Sequence, residues 1–234
     1  MLLSSLIPSL CALLLALLSW QAATDGPVRS LDERLGHALA DSALPSPAAQ
    51  FFADLGNATV AVPVLVLALA YAARRGHRAR APRWWLPPLA AALAMAAVPA
   101  LVVPLKNGIG RPGPERMAGV THEGFFPSGH AATAAVAYGA ALLLLLPYAR
   151  EHARTRRPAP FVAYGLLNAY GLLNAAIGVG LVRQGYHWPL DVLGAWCLAG
   201  LVLWCLHRAL RISRRPGSAR PLPRASRAPG PPDP

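Results

Sequence analysis

Two histidines and one aspartate stand out in a chain that is otherwise poor in ionisable groups. His187 and Asp191 are four residues apart, so on a helix they share one face. A carboxylate that accepts from one imidazole nitrogen fixes the tautomer and leaves the other nitrogen with an available lone pair, as a nucleophile or a base requires. Pro189 fits between them only in the first helical turn, which places His187 at or just before a helix start. The second histidine closes the run Pro127-Ser128-Gly129-His130. Ser128 is suited to N-cap the apolar segment that follows. A helix start presents free N–H groups and the positive end of the dipole, and Gly129 lets an anion approach the backbone. His130, in the first turn, points toward the same anion. Taken singly, these runs also fit an ordinary cap with an interfacial histidine, or a polar pair at a membrane boundary.

A third polar cluster begins at Lys106, the only lysine among 22 basic residues. Lys106 and Arg111 sit beside Gly108, Gly110, Pro112 and Gly113, and two cations on a Gly-rich loop suit a phosphate. The three clusters are far apart in sequence, so whatever positions them must bring distant parts of the chain together.

The positioning elements are apolar blocks. Of the 234 residues, 55% are hydrophobic and 14% charged, whereas soluble domains carry about 25% charged residues. Blocks near 3–22, 57–73, 85–105, 129–149, 160–182 and 189–209 have no Arg or Lys in their middle and no polar face. About 20 such residues span a hydrocarbon layer of about 30 Å, so the expectation is an all-α membrane bundle of six spans. Residues 1–23 form the first span. The run Trp20-Gln21-Ala22-Ala23 resembles a signal cleavage site, but no positive charge precedes the apolar block and the block is long for a signal. An outer-face segment follows at 24–56, with a short amphipathic pattern at Leu31, Leu35 and Leu39 interrupted by Pro45 and Pro47. A core at 57–212 precedes a basic, Pro-rich tail at 213–234, whose composition predicts disorder.

The net charge of +12 raises the question of nucleic acid. Its distribution answers otherwise. Five arginines fall in 74–83, four in 150–157 and seven from Arg208 to Arg227, in alternate connections and the tail, which the positive-inside rule assigns to the cytoplasm. All three polar clusters then lie on the outer side, and no nucleic-acid partner is expected. Cys11, Cys197 and Cys205 fall inside spans and read as small apolar residues. There is no His-Glu-x-x-His run, no Asp-rich phosphatase motif and no Cys/His cluster, so neither a metal nor another cofactor is expected. Tyr-Gly-Leu-Leu-Asn-Ala occurs twice over 164–175; a period of six does not return to one helix face, and no role is inferred for it.

These clusters resemble the type-2 phosphatidic acid phosphatase superfamily, which includes vanadium-dependent haloperoxidases, over roughly residues 50–210. The family pattern is K-x6-R-P, then P-S-G-H, then S-R-x5-H-x3-D. Pro127 to His130 matches the second part, and His187-Trp188-Pro189-Leu190-Asp191 matches the end of the third. Two positions depart: Gly113 and Leu181 stand where the family has arginine, with Gly180 in place of serine. Arg111 and Arg183 lie two residues away from those positions. They either reach into the phosphate site or leave it short of two cations. The resemblance implies a membrane phosphatase acting on a lipid phosphate or pyrophosphate of the phosphatidic acid, phosphatidylglycerophosphate or polyprenyl class. In that reading His187 is the nucleophile, Asp191 orients it, and His130 is the acid and base. Lys106, Arg111, Ser128, Gly129 and Arg183 hold the phosphoryl oxygens. A lipid phosphotransferase and a non-catalytic lipid-phosphate binder or transporter on the same fold are the competing readings. Heavy Arg, Ala and Pro usage with almost no Lys fits a GC-rich bacterial genome and hence the plasma membrane.

Overall fold

The computed structural model describes residues 2–24, 26–119, 124–153 and 159–213. The tail expected at 213–234 lies outside them from residue 214 onward. Among the described residues every regular element is helical: α1 (Leu2–Ala23), α2 (Pro27–Ala40), α3 (Ser46–Asp54), α4 (Ala58–Arg78), α5 (Leu86–Ile109), a 3-10 turn (Glu115–Met117), α6 (Gly129–Ala153), α7 (Ala159–Arg183) and α8 (Pro189–Ser213). Six of them, α1 and α4 to α8, are long and apolar enough to cross a membrane.

α6 is the centre of the bundle and packs against α4, α5, α7 and α8. Its sequence explains the position. Ala131, Ala132, Ala134, Ala135, Ala137 and Ala140 are all buried. Between membrane helices there is no hydrophobic drive to associate, so small side chains that let backbones approach decide which faces meet. α1 is the opposite case: it leans on α8 and leaves Leu6, Leu10, Leu13, Leu17 and Trp20 exposed, as a lipid-facing surface should be.

α2 and α3 form a short pair at one end of the bundle. Pro45 stands at the N-cap of α3 and a proline occupies its first turn, so the two prolines expected to interrupt the amphipathic stretch separate two helices. α3 lies along α7 because Gly180 permits it. A Cβ there would stand 2.5 Å from the Ala49 carbonyl oxygen and 2.9 Å from the Ala53 nitrogen. The same end of the bundle carries all three polar clusters. They are joined there by the Ser128 amide, which donates to the Asp191 carbonyl at 2.9 Å, and by Arg111, which donates to the Asp191 carboxylate at 2.8 Å.

Candidate active site

α6 begins where Pro127-Ser128-Gly129-His130 predicts. Ser128 is fully buried, and its hydroxyl oxygen accepts from the Ala131 amide at 3.2 Å, the bond expected of an N-cap. The first-turn amides have no partner within an α-helix, and here Gly129 and His130 open onto a cavity of about 350 Å³. Lys106, from the last turn of α5, and His187, from the turn before α8, line the same cavity. The His130 and His187 ring centroids are 6.1 Å apart. One tetrahedral anion between them can touch both rings.

His187 is held from behind by a chain of charges. Asp191, in the first turn of α8 and fully buried, places one carboxylate oxygen 3.2 Å from His187 Nδ1. The same oxygen accepts from the Trp188 amide at 3.0 Å. The other accepts from Arg111 at 2.8 Å, and a second Arg111 nitrogen donates to Asp32 of α2. Asp32 also accepts from the Leu190 amide at 2.8 Å, so a carboxylate from α2 satisfies a free donor at the start of α8. Burial pushes the Asp32 carboxyl up from its ordinary value, while the Arg111 hydrogen bond and charge pull it down. With a carboxylate at Nδ1, the ring carries its proton there and presents Nε2 as the lone pair.

Asp32 is a residue that pattern reading does not single out. Its carboxylate belongs to a stretch, 24–56, whose acids read simply as outer-side charge. α3, the N-cap of α4 and the turn before α8 together supply a second unexpected group. Gln50, Asp54, Asn57 and Tyr186 form a polar wall of the cavity, in which Tyr186 donates to Gln50 at 2.8 Å. Gln50 and Asn57 in turn donate to Asp54 at 2.8 and 3.1 Å.

Two of the eight site residues expected from sequence are placed elsewhere. Arg111 is fully buried between Asp32 and Asp191, committed to carboxylates and absent from the cavity lining. Arg183 donates to the Leu44 and Ala40 carbonyls at 3.1 and 2.6 Å, where it ties α7 to the end of α2. Two residues along an α-helix turn a side chain by about 200°, so Arg183 leaves the helix on the side opposite Leu181, which is buried in the core. Among the described residues lining the cavity, Lys106 is therefore the one with a fixed positive charge. Nor is the arginine simply missing at 113. A Cβ on Gly113 would lie 2.5 Å from the Phe125 ring, and that ring packs edge-on against His187 at 5.8 Å. Gly113→Arg is accordingly expected to destabilise the protein by about 1–3 kcal/mol through overpacking, read as a lower midpoint of thermal unfolding in detergent.

Comparison with known proteins fits this geometry. The PAP2 superfamily model matches residues 87–215, more than half of the chain. No curated protein matches the sequence. Among solved structures, a similar one is the crystal structure of a transmembrane PAP2-type phosphatidylglycerolphosphate phosphatase from Bacillus subtilis, with a TM-score of 0.71 and 23% sequence identity, covering 89% of this chain and 98% of that one. At that identity the likeness is one of fold. With six membrane-length helices, the Pro127 to His130 cap and the His187–Asp191 pair at one end of the bundle, and a family match across most of its core, the chain is a multi-pass membrane protein of the PAP2 superfamily.

Proposed function

We propose that the protein hydrolyses a lipid phosphate or pyrophosphate through a phosphohistidine at His187. The observation that carries this reading is that two neighbouring cavities share lining residues. The polar one between the histidines shares Lys106 and Gly129 with an apolar groove of about 740 Å³ lined by α4, α5 and α6. Val62, Leu65, Val66, Met95, Val98 and Val102 give the groove its walls. A molecule with a phosphate at one end and a hydrocarbon tail at the other fits both, head at the histidines and tail between the helices.

In this cycle the His187 Nε2 lone pair attacks phosphorus and the bond from phosphorus to the lipid oxygen breaks. His130 gives its proton to that oxygen, and the lipid alcohol leaves, or the lipid monophosphate when the substrate is a pyrophosphate attacked at its terminal phosphorus. His130 then takes a proton from water, whose oxygen attacks the phosphohistidine. Inorganic phosphate departs and His187 is restored. Asp191 accepts the Nδ1 hydrogen bond and balances the positive charge that develops on the ring. Lys106 and the first-turn amides of α6 hold the phosphoryl oxygens, where donors aimed at developing charge contribute most. Ser128 shapes that helix start through its cap. Arg111 acts through Asp191, and Arg183 holds the outer pair of helices. The basic residues at the opposite helix ends support an extracytoplasmic site, because the positive-inside rule favours the cytoplasm for them.

A second reading has one specific observation in its favour. Both family arginine positions are closed by packing, Gly113 under Phe125 and Leu181 in the core, which suits a protein that binds lipid phosphates without turning them over. One experiment separates the two. Purified protein is given phosphatidic acid and, separately, a polyprenyl pyrophosphate, with a chelator present, and free phosphate is measured. Release that persists under chelation supports the enzyme. Saturable binding without release supports the binder.

A further inference from the structure

α2 lies outside the region that the family model matches, 87–215, yet it is fixed on the start of α8 at several points. Asp32 accepts from the Leu190 amide at 2.8 Å. One turn further on, a Cβ on Gly36 would stand 2.6 Å from the Trp188 ring, so a glycine is needed for α2 to lie this close. The His37 ring meets Trp188 edge-on at 5.3 Å, and Arg183 donates to the Ala40 carbonyl at 2.6 Å. Apart from Asp32, none of these contacts asks for a charge on α2.

The Asp32 carboxylate is nonetheless buried, as are Arg111 and Asp191. Taking a third charge out of water is strongly unfavourable, and a neutral Asn oxygen would serve the Leu190 amide as an acceptor too. Charge balance gives the carboxylate a reason. Arg111 bonded to Asp191 alone would form a neutral pair, its guanidinium competing with the His187 ring for the Asp191 charge. With Asp32 on a second nitrogen, the guanidinium is shared. Two carboxylates and one guanidinium carry one net negative charge. It faces His187 through the Asp191 oxygen 3.2 Å from Nδ1. Glu33 does not alter that sum, because it lies 4.0 Å from Arg111 and is paired with Arg29 at 2.9 Å.

We propose that Asp32 is a positioning residue for phosphoryl transfer, which by sharing Arg111 leaves Asp191 anionic toward His187. This role rests on His187 as the nucleophile. The ring gains positive charge as Nε2 bonds to phosphorus, and in a buried site that charge is best stabilised by a counter-charge not already neutralised. Asp32 does not line the cavity between the histidines; it acts through Arg111 and Asp191.

The test is binding of vanadate to the purified full-length protein in detergent, with inorganic phosphate in parallel. Vanadate takes a ring nitrogen as an axial ligand, much as phosphorus does during transfer, and no turnover is needed. Loss of vanadate binding in His187→Ala checks the nucleophile on its own. Asp32→Asn keeps an oxygen for the Leu190 amide and is expected to weaken vanadate about tenfold, the order of effect of one buried charge. Inorganic phosphate forms no bond to nitrogen and should bind this variant no more weakly than wild type. Arg111→Met leaves two buried carboxylates facing each other, so one must move or take up a proton. Adding Asp32→Asn leaves Asp191 as the single charge, and the double variant is expected to bind vanadate at least about threefold more tightly than either single, as coupled sites do. A residue that only pins α2 would weaken both anions together, and the double would bind no better than the singles. Either result, or wild-type vanadate affinity in Asp32→Asn, overturns the proposal. Where Asp32→Asn alone does not fold, the double variant against Arg111→Met decides. Vanadate binding that survives His187→Ala would instead remove the nucleophile assignment, and the Asp32 role with it.

Discussion

Alanine at His187 is expected to lower phosphate release from a lipid phosphate by roughly 10⁴–10⁶-fold, the scale of losing a nucleophile from a triad-like unit. The protein should still insert and stay folded. Asp191 keeps its hydrogen bonds from Arg111 and the Trp188 amide, so the substitution removes about one hydrogen bond's net stability, on the order of 1 kcal/mol. Alanine at His130 should cost less, about 10²–10⁴-fold, because acid–base assistance is worth that much while the nucleophile remains. The assay is initial-rate phosphate release from detergent-solubilised protein, with thermal unfolding as the control. Release by the His187 variant within tenfold of wild type would remove His187 from the nucleophile's role.

The second large effect is expected at Arg111. Arg111→Met keeps an unbranched apolar stem and removes the charge that lies between Asp32 and Asp191. Both carboxylates are almost inaccessible to solvent, so breaking the cluster from its centre should destabilise by about 3–5 kcal/mol. For a chain of this size that is a fall of roughly 6–20 °C in the unfolding midpoint. Asp32→Asn in the same background is expected to return part of the loss, because one unpaired buried charge has gone, and a double-mutant cycle measures that coupling. Activity provides a separate readout. Arg111 does not line the substrate cavity; it holds Asp191, which holds His187. At temperatures where the variant is folded, kcat should therefore fall while KM stays within about twofold. A large rise in KM with kcat preserved would mean that Arg111 meets the phosphate directly, as its place near Lys106 in the sequence first suggests.

The bundle was legible because its physics is local. Each span carries its own apolar length, and alternate connections carry the arginines, so six helices and a shared end for the polar clusters follow without knowledge of packing. Ser128 as a cap and the His187–Asp191 pair were legible for the same reason: an N-cap bond and an i, i+4 contact depend on nearby residues alone. The directions of Arg111 and Arg183 were not legible, because proximity along the chain says little about direction. Arg183 faces away from Leu181 by half a helical turn, and Arg111 is drawn inward by a carboxylate 79 residues earlier. Asp32 was hidden because its meaning depends on α2 folding back over the start of α8, 158 residues away from the Leu190 amide it accepts from.

The central claim is that His130 and His187 act on one phosphoryl group held between them, His187 by bonding to phosphorus and His130 by freeing it. It is tested most directly by trapping. His130→Ala is mixed with a lipid phosphate labelled on phosphorus, quenched at alkaline pH to preserve phosphohistidine, digested and mapped by mass spectrometry. The account predicts label on the peptide carrying His187, accumulating in the variant beyond its level in wild type and absent from His130→Ala combined with His187→Ala. Label on a different residue, or continued phosphate release by the protein lacking both histidines, would contradict it.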